Sequence, residues 1–512
     1  MNPAYGRLAG LLAAGLLATA IPAVSAIPAA ATGPEVVTTA SGELRGSAAD
    51  GVRAFRGIPY AAPPVGDLRW TSPRPAAPWT GVRDATESGA ACAQPTGYPI
   101  GVPSENEDCL YLDVTTPARV KTKLPVIVWI HGGSLMYGTG DMYGPARLAS
   151  AGAVVVSMNY RLGVMGFLTS PALGGSGGFG LEDQQAALRW VRANIAAFGG
   201  DPGNVTIMGQ SGGGYAVCGH LVSPASKGLF HRAIVQSAPC ATGGSRTRAD
   251  AEAESARVIK QVACDEAGDV AACLRAVPAA KLLAAYGAFV EPRPVAGTGL
   301  LPRTPAQALR SGRFNRVPVL VGVNHDEERG MIAGQELAPG GRPMRAGEYE
   351  PAIRKEFGAD AAAVLKRYPL RAYGSAGEAL AAVRTDHAWA TPTLDTARLL
   401  SRWTPTRMYE FAEKDTPWFA GYPATSFPVR AQHMAELPYL FDLKLFEKLP
   451  PRQERLAGRI IGSWVRFAAS GDPGWPRFGE RDRHVRSLTA GTWKRAAFER
   501  DHAYGFWAGL TR

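Results

Sequence analysis

The sequence predicts an α/β protein built on a mostly parallel sheet, and two observations lead to that prediction. Continuous apolar runs bounded by proline or glycine recur along the chain, and amphipathic segments lie between them. Buried parallel strands have such runs because both faces are covered, and strands that alternate with helices are typical of a parallel sheet. The chain has 512 residues, 46% of them hydrophobic, which is enough to bury a large sheet on both faces.

The individual elements follow from local patterns. In chain order we predict strands in KLPVIVWIHGG (123–133) and AGAVVVSMNY (151–160), a helix in LEDQQAALRWVRANIAAFGGDP (181–202), a strand in NVTIM (204–208), a helix in YAVCGHLV (215–222), and strands in HRAIVQS (231–237) and VPVLVGVN (317–324). The first helix has Leu181, Leu188 and Val191 at helical spacing and ends in Gly-Gly-Asp-Pro. No tract of linker composition divides the chain, so we predict one large domain.

The N-terminus has the pattern of a secretory signal peptide. One positive charge at Arg7 precedes an apolar run, and small residues follow that run. We predict a signal peptide over residues 1–26, with cleavage after Ala31 as the alternative. The mature protein is therefore expected to be secreted, that is, extracellular, and its folded domain to occupy residues 33–512.

The charge of the chain excludes some classes of partner. The formal net charge is +11, but the basic residues are scattered and do not cluster with aromatic residues. Binding to nucleic acid needs such a cluster, so no nucleic-acid partner is expected. Beyond the N-terminus, no segment offers the roughly 18 consecutive apolar residues of a transmembrane helix, so no membrane span is expected.

The stretch GQSGG, residues 209–213, directly follows the predicted strand NVTIM. Gly-x-Ser-x-Gly between a strand and a helix is a nucleophile elbow, which predicts that Ser211 is a nucleophile. Gly209 and Gly213 allow the strand and helix to approach closely, and Gly212 places a backbone N–H at a helix N-terminus, where an oxyanion is stabilised. A phosphate-binding loop is the competing interpretation, but the chain lacks the Gly-x-x-x-x-Gly-Lys-Ser/Thr pattern.

A serine nucleophile needs a base and an acid that orients the base, in the chain order serine, acid, histidine. Seven histidines follow Ser211, and their spacing does not select among them. They are His220, His231, His325, His387, His433, His484 and His502.

Several long blocks of the chain carry a family resemblance. They are FRGIPYAAPPVGDLRW (55–70), ENEDCLYLDV (105–114), VIVWIHGGS (126–134), NYRLGVMGFL (159–168), FGGDPGNVTIMGQSGG (198–213), SPASKGLFHRAIVQS (223–237) and HMAELPYLF (433–441). In these blocks the sequence resembles the type B carboxylesterases, which include bacterial para-nitrobenzyl esterases, animal carboxylesterases and cholinesterases. The resemblance implies an α/β-hydrolase fold, with large loop and helical insertions around its central sheet. It also implies hydrolysis of small-molecule carboxylic esters without a metal or an organic cofactor.

The resemblance assigns the catalytic residues. Ser211 matches the family nucleophile, Glu327 in VGVNHDEERG matches the acid, and His433 in AQHMAELPY matches the base. One departure affects the acid: Glu328 stands where the family usually has glycine, so Asp326 and Glu328 flank Glu327. A folded but inactive adhesion protein is the alternative class. Such a protein would be expected to lack a triad residue, and all three are present.

The resemblance also implies an oxyanion hole. In the loop HGGS, backbone N–H groups of Gly133 and Ser134 would join that of Gly212, with His131 as an anchor of the loop. The family elbow is commonly Gly-Glu-Ser-Ala-Gly, whereas Gln210 here replaces the acid and Gly212 replaces the alanine.

Six cysteines in an exported chain predict disulfides. Cys92 and Cys109 flank a loop rich in glycine and proline, and Cys264 and Cys273 flank a short acidic loop. The family disulfides fall on the same two pairs. The remaining two are Cys218 and Cys240. They either pair with each other or stay buried as free thiols.

The family resemblance, together with two departures from the cholinesterases, predicts a preference for neutral aryl or alkyl esters. In the resembling cholinesterases, a tryptophan in the loop before EDCLYL and a carboxylate before the nucleophile favour a quaternary ammonium group. Here the loop between Cys92 and Cys109 has Tyr98 as its one aromatic residue, and Gln210 before Ser211 is neutral.

Overall fold

In a computed structural model of the protein, the described residues are 36–97, 100–287 and 292–510. They belong to one compact unit, Pro34–Arg512. The predicted signal peptide and Tyr98 lie outside the described residues, so the signal peptide, its cleavage site and the first residue of the domain stay predictions. In the part of the chain that is described, no helix combines the length and apolarity needed to span a membrane.

The strands of the described chain form two sheets. The strands are β1 Val36–Thr39, β2 Gly42–Arg45, β3 Ser47–Ala49, β4 Val52–Pro59, β5 Val82–Asp84, β6 Tyr111–Pro117, β7 Leu124–Ile130, β8 Val154–Met158, β9 Gly200–Gln210, β10 Arg232–Gln236, β11 Val319–Asn324, β12 Thr406–Phe411 and β13 Val485–Leu488. The large sheet has the order β13-β12-β11-β10-β9-β7-β8-β6-β4-β3, and the small sheet has the order β1-β2-β5. The large sheet is parallel from β13 to β8 and antiparallel beyond β8. The prediction of a mostly parallel sheet is therefore confirmed.

Helices connect the strands and cover the sheet. Those of the described chain are α1 Ala146–Ser150, α2 Gly163–Phe167, α3 Phe179–Asn194, α4 Gly212–Val222, α5 Arg248–Gln261, α6 Val270–Ala276, α7 Ala279–Tyr286, α8 Pro305–Ser311, α9 Glu327–Leu337, α10 Ala346–Phe357, α11 Ala361–Arg367, α12 Ala376–Arg384, α13 Thr391–Ser401, α14 Pro451–Ser470, α15 Phe498–Asp501 and α16 Tyr504–Gly509. A π-helical segment, Thr385–Ala390, joins α12 to α13. The predicted helix over 181–202 ends earlier, because Gly199 is left-handed (φ 85°) and β9 begins at Gly200.

Strand β7 shows why the apolar runs of this sequence form central strands. Val126, Val128 and Ile130 belong to one core cluster, which also contains Leu188 of α3. Ile127 and Trp129 belong to a second cluster. Successive side chains of a strand point to opposite faces, so both faces of β7 are buried. The strand therefore has a continuous apolar run and no alternation of apolar and polar residues.

The parallel part of the sheet places three loops at one edge. Strand β7 ends at Ile130, β9 ends at Gln210 and β11 ends at Asn324. The segments that follow these ends contain HGGS, Ser211 and Glu327 respectively. Ligands of open α/β sheets bind at the carboxyl ends of the strands, so the fold brings the predicted site residues to the expected edge.

All six cysteines lie within the described residues, and the structure joins them in three disulfides. Two of these are the pairs that the loops and the family resemblance indicated, namely Cys92 with Cys109 and Cys264 with Cys273. For the last two cysteines, where the sequence left pairing and free thiols open, the structure has a bond between Cys218 and Cys240. This bond ties α4, the helix after the elbow, to the segment that follows β10.

Candidate active site

Ser211 occupies a strained backbone conformation between β9 and α4. Its φ is 53° and its ψ is −123°, which non-glycine residues rarely adopt. The N–H of Ser211 donates to the carbonyl of Gln236 in the neighbouring strand β10 at 3.0 Å, which holds the turn in place. The serine side chain is half-buried, so the strain serves to present its hydroxyl at the edge of the sheet.

The glycines of the elbow are required by close backbone contacts. A Cβ atom at Gly209 would lie 2.4 Å from the carbonyl carbon of Gly213. A Cβ atom at Gly213 would lie 2.0 Å from the carbonyl oxygen of Ile130 in β7. Either methyl group would separate the helix from the strands and move the serine that lies between them.

His433 and Glu327 meet in the structure. Nδ1 of His433 and Oε2 of Glu327 are 2.5 Å apart, and Glu327 has no solvent-exposed surface. The other carboxylate oxygen of Glu327 accepts a hydrogen bond from the N–H of Asn324 at 2.8 Å. The backbone N–H of His433 donates to the carbonyl of Glu327 at 3.1 Å. Because the carboxylate is an acceptor only, Nδ1 carries the proton in this contact.

The two acids beside Glu327 point elsewhere. Asp326 contacts His325 at 3.2 Å and Arg329 at 3.1 Å. Glu328 accepts a hydrogen bond from Nε1 of Trp389 at 2.7 Å, and burial raises the pKa of this glutamate. Of the three consecutive acids, the structure therefore brings Glu327 to the histidine.

The environment of His433 favours a proton acceptor at Nε2. Burial by itself lowers the pKa of His433, but the charge and hydrogen bond of Glu327, together with the charges of Glu436 and Glu328, raise it above its ordinary value. Nε2 is buried and has no hydrogen-bond partner among the described residues. The indole ring of Trp389 lies 4.5 Å from the imidazole, between ring centroids, where it can stabilise the imidazolium by a cation–π contact.

A buried polar network lies beneath the histidine. Asn324 donates from Nδ2 to the carbonyl of Gln432 at 2.7 Å and to Glu436 at 2.6 Å, and Gln236 donates to Glu436 at 3.2 Å. Burial raises the pKa of Glu436 to about 7, and the nearby charge of Glu327 adds to this effect. The network holds the segment of His433 against the ends of β10 and β11.

Gln210 explains one departure from the family elbow. Its side chain is buried, and Nε2 donates to the backbone carbonyl of His433 at 2.7 Å. A glutamate in the same place could accept hydrogen bonds but could not donate one while ionised. The amide therefore fixes the backbone of the histidine from the side of the serine.

The loop HGGS lies against the elbow. Gly133 (φ 101°), Ser134 (φ 55°) and Leu135 (φ 58°) are left-handed in succession, and Ser134 is exposed. A Cβ atom at Gly212 would lie 2.9 Å from the backbone nitrogen of Ser134. Any larger residue at this position would therefore push the loop away from the elbow. Gly212 is the first residue of α4, and its N–H has no acceptor within that helix.

The surroundings of His131 fit an anchor of this loop, as the sequence predicts. It is fully buried, its ring stacks on that of Tyr160 at 4.5 Å, and its Nδ1 lies 2.8 Å from the carbonyl of Gly132. Burial lowers the pKa of His131 to about 4, so it stays neutral. His231, another of the histidines that follow Ser211, accepts a hydrogen bond from the N–H of Val205 through Nδ1 at 3.1 Å.

The fold and site together are those of an α/β hydrolase, and comparison with known proteins defines the enzyme as a carboxylic ester hydrolase. The model of the Carboxylesterase family matches residues 33–507, and the chain belongs to that family. The resemblance seen in the sequence blocks is thereby confirmed.

Individual relatives agree with this assignment. The chain is 35% identical to a cocaine esterase of Oryctolagus cuniculus, over 88% of this chain and 91% of the relative. It is 34% identical to the para-nitrobenzyl esterase of Bacillus subtilis (strain 168), over 89% of this chain and 94% of the relative. Among solved structures, a PNB esterase superposes with a TM-score of 0.77 at 31% identity, covering 92% of this chain and 99% of that one.

Several residues of the site were not found from the sequence. The sequence marks Gln210 only as a departure from the family elbow, and it carries no prediction for the contacts of Asn324, Trp389 and Glu436. Trp389 had no local signal, since it lies in a π-helical segment far from His433 in the chain. Glu436 follows His433 by three residues, and a second acid so close to a candidate base is a local signal for a buried acid in the site.

We expect Glu327→Gln and Glu328→Gln to differ strongly. The amide in Glu327→Gln can donate to Nδ1, which places the proton on Nε2, so kcat/KM should fall by roughly 10³- to 10⁴-fold. Glu328→Gln keeps an acceptor for Trp389 and should stay close to the wild-type value. Steady-state kinetics on a nitrophenyl ester would measure both, and equal sensitivity of the two variants would contradict the assignment.

The pH dependence should follow the same contact. Since His433 must be neutral to accept a proton and its pKa is raised, the acid limb of kcat/KM should lie above pH ~6.5. Removing the charge of Glu327 removes the largest of the effects that raise this pKa, so the residual activity of Glu327→Gln should persist to lower pH than that of the wild type. A wild-type profile that is flat from about pH 5 to 8 would contradict a histidine base.

Gln210→Glu should damage both stability and turnover. The carboxylate leaves the buried carbonyl of His433 without a donor, which should lower the free energy of unfolding by about 1–3 kcal/mol and lower kcat/KM. The matched control is Gln185→Glu, a buried glutamine that donates to Ser223 and Ser226 away from the elbow. Chemical denaturation measures the stability of both variants, and steady-state kinetics measure their kcat/KM. Unchanged kinetics in Gln210→Glu would exclude a role of this hydrogen bond in turnover.

Proposed function

We propose that the protein is a secreted serine carboxylesterase that hydrolyses neutral carboxylic esters through an acyl-enzyme intermediate. Ser211 is the nucleophile, His433 is the general base and Glu327 orients the base. The oxyanion hole consists of the backbone N–H groups of Gly133 and Ser134, with that of Gly212. The observation that carries the proposal is the 2.5 Å contact between Nδ1 of His433 and Glu327, because it leaves Nε2 as a proton acceptor at the serine edge of the sheet.

In the first half of the reaction, Nε2 of His433 takes the proton of Ser211 as Oγ forms a bond to the ester carbonyl carbon. The carbonyl electrons move to the oxygen, and the three backbone N–H groups stabilise that oxyanion. The intermediate collapses, the bond between the carbonyl carbon and the alcohol oxygen breaks, and His433 gives its proton to the leaving alcohol. Glu327 stabilises the imidazolium that exists between these two proton transfers.

In the second half, water repeats the attack on the acyl-enzyme. His433 takes a proton from the water as its oxygen bonds to the acyl carbon, and a second oxyanion forms in the same hole. Its collapse breaks the bond to Oγ and returns the proton to Ser211. The products are a carboxylic acid and an alcohol.

Four features support secretion and a neutral substrate. The N-terminal pattern is that of a signal peptide, and disulfides persist in oxidising compartments. The residue before the nucleophile, Gln210, is neutral and has its amide committed to His433. The ring of Trp389 lies 4.5 Å from that of His433, between ring centroids, so the part of the indole that contacts His433 is not available to a substrate cation.

Labelling tests the proposal directly. A reactive organophosphate should modify one serine per chain, identified as Ser211 by peptide mass spectrometry, and Ser211→Ala should remain folded without hydrolysing esters. The control is Ser237→Ala, which removes the buried serine after β10 that also has a positive φ of 48° and should leave labelling intact. An active Ser211→Ala protein would overturn the proposal. Absence of both label and hydrolysis in the wild type would favour the adhesion class.

Substrate charge gives a further prediction. We expect no preference for butyrylcholine over its uncharged 3,3-dimethylbutyl isostere, since the site presents a neutral Gln210 and the chain carries a net charge of +11. The ratio of the two kcat/KM values measures this preference at equal ionic strength. A preference for the cation of about tenfold, or about 1.4 kcal/mol in transition-state binding, would contradict a neutral-ester pocket.

A further inference from the structure

Two histidines and a glutamate meet outside the catalytic residues. Ligand atoms of His325, Glu410 and His502 all lie within 4.8 Å of one another. His325 directly follows β11, and Glu410 lies near the end of the neighbouring strand β12. His502 lies between α15 and α16, so the cluster joins the last part of the described chain to the edge of the sheet.

A carboxylate already orients each histidine through Nδ1. Nδ1 of His502 lies 2.6 Å from Asp386, and Nδ1 of His325 lies 3.2 Å from Asp326. The nitrogen left for a ligand is therefore Nε2 in each ring, and that of His502 is 2.7 Å from Glu410. Histidines that bind metal ions almost always have this arrangement, with a carboxylate or carbonyl on the other nitrogen.

The orienting carboxylates are themselves held. The second oxygen of Asp386 accepts a hydrogen bond from the hydroxyl of Tyr368 at 2.7 Å, and that hydroxyl accepts one from Trp507 at 2.7 Å. Asp326 is held by Nε of Arg329 at 3.1 Å. The orientation of both rings is thus fixed before any ligand arrives.

The cluster is buried on one side and open on the other. Glu410 and His502 are 2% and 1% exposed, whereas the side chain of His325 is 36% exposed. This asymmetry makes the cluster accessible to solvent from the side of His325. In addition, the two carboxylates of Asp386 and Glu410 contact one imidazole ring, that of His502. A single imidazolium neutralises only one of their two negative charges, which favours a cation in the cluster.

We propose that His325, Glu410 and His502 bind a divalent transition-metal ion, with Zn²⁺ as the preferred ion and water as a fourth ligand. Two imidazoles and one carboxylate suit Zn²⁺, whereas Mg²⁺ and Ca²⁺ prefer oxygen ligands alone. Bonds of about 2.1 Å in a tetrahedral site hold ligands about 3.4 Å apart, which lies between the 2.7 Å contact and the 4.8 Å limit of this cluster.

Binding replaces a proton with the ion. The proton shared by Nε2 of His502 and Glu410 leaves to solvent, and the nitrogen lone pair and the carboxylate oxygen bind the metal. The ion takes no part in ester hydrolysis. Its effect is structural, because it links the end of β12 and the segment after α15 to His325, which precedes the acid Glu327 by two residues in the same turn.

Calorimetry on the tag-free, chelator-treated full chain tests the site. We expect the wild type to bind one Zn²⁺ per chain, with no binding of Mg²⁺, and Zn²⁺ to raise its Tm. His325→Asn keeps a donor for Asp326 but removes Nε2, and should weaken Zn²⁺ binding by at least about tenfold and abolish the Tm shift. The control is His387→Asn, an exposed histidine next to Asp386 that does not belong to the cluster and should bind Zn²⁺ like the wild type.

The outcomes distinguish a specific Zn²⁺ site from nonspecific binding of Zn²⁺ to the protein surface. A wild type that binds no Zn²⁺, or a His325→Asn variant that binds it as tightly as the wild type, would overturn the proposal. Glu410→Gln gives a second measurement, because glutamine has nearly the same volume as the proposed glutamate ligand but carries no charge. Should the buried Glu410→Gln variant fail to fold, His325→Asn decides alone, because its side chain lies at the partly exposed rim.

Discussion

The hydrogen bond between Nδ1 of His433 and Oε2 of Glu327 is the contact on which this active site depends. It joins residues that are 106 positions apart, and Glu327 is fully buried there. A buried ionisable pair costs desolvation energy, which is recovered only where the remaining polar atoms also find partners. Here the second oxygen of Glu327 accepts the N–H of Asn324, so the pair is held without an unpaired carboxylate oxygen.

The surrounding backbone makes that contact rigid. His433 is held from two sides, since its carbonyl accepts from Gln210 and its N–H donates to the carbonyl of Glu327. Gln210 immediately precedes Ser211, so one hydrogen bond links the positions of the proposed nucleophile and the proposed base. Groups fixed before the substrate arrives need no reorganisation during the reaction, which is how an esterase site stabilises a developing oxyanion.

Local patterns in the sequence were sufficient to predict the fold and to single out Ser211 as the candidate nucleophile. Apolar runs such as β7 are visible because both faces of a central strand are buried, and the elbow is visible because its glycines lie within five residues of chain. The candidate acid and base came from the family resemblance, since spacing did not choose among seven histidines.

Contacts between distant segments could not be predicted in the same way. The role of Gln210 depends on a carbonyl that is 223 positions away, and the position of Trp389 depends on a π-helical segment without a local signature. The cluster of His325, Glu410 and His502 is distributed over three separate segments and becomes apparent only when β11 and β12 lie side by side. Such features arise from tertiary packing, which no short sequence window contains.

A crystal structure of the protein inhibited by a phosphonate tests the central claim most directly. The account predicts phosphorus bonded to Oγ of Ser211 and Nε2 of His433 directed at the oxygen that occupies the leaving-group position. It also predicts that the phosphonyl oxygen accepts hydrogen bonds from the N–H groups of Gly133, Ser134 and Gly212 at about 2.7–3.1 Å. An adduct on another side chain, or a phosphonyl oxygen turned away from these three groups, would contradict it.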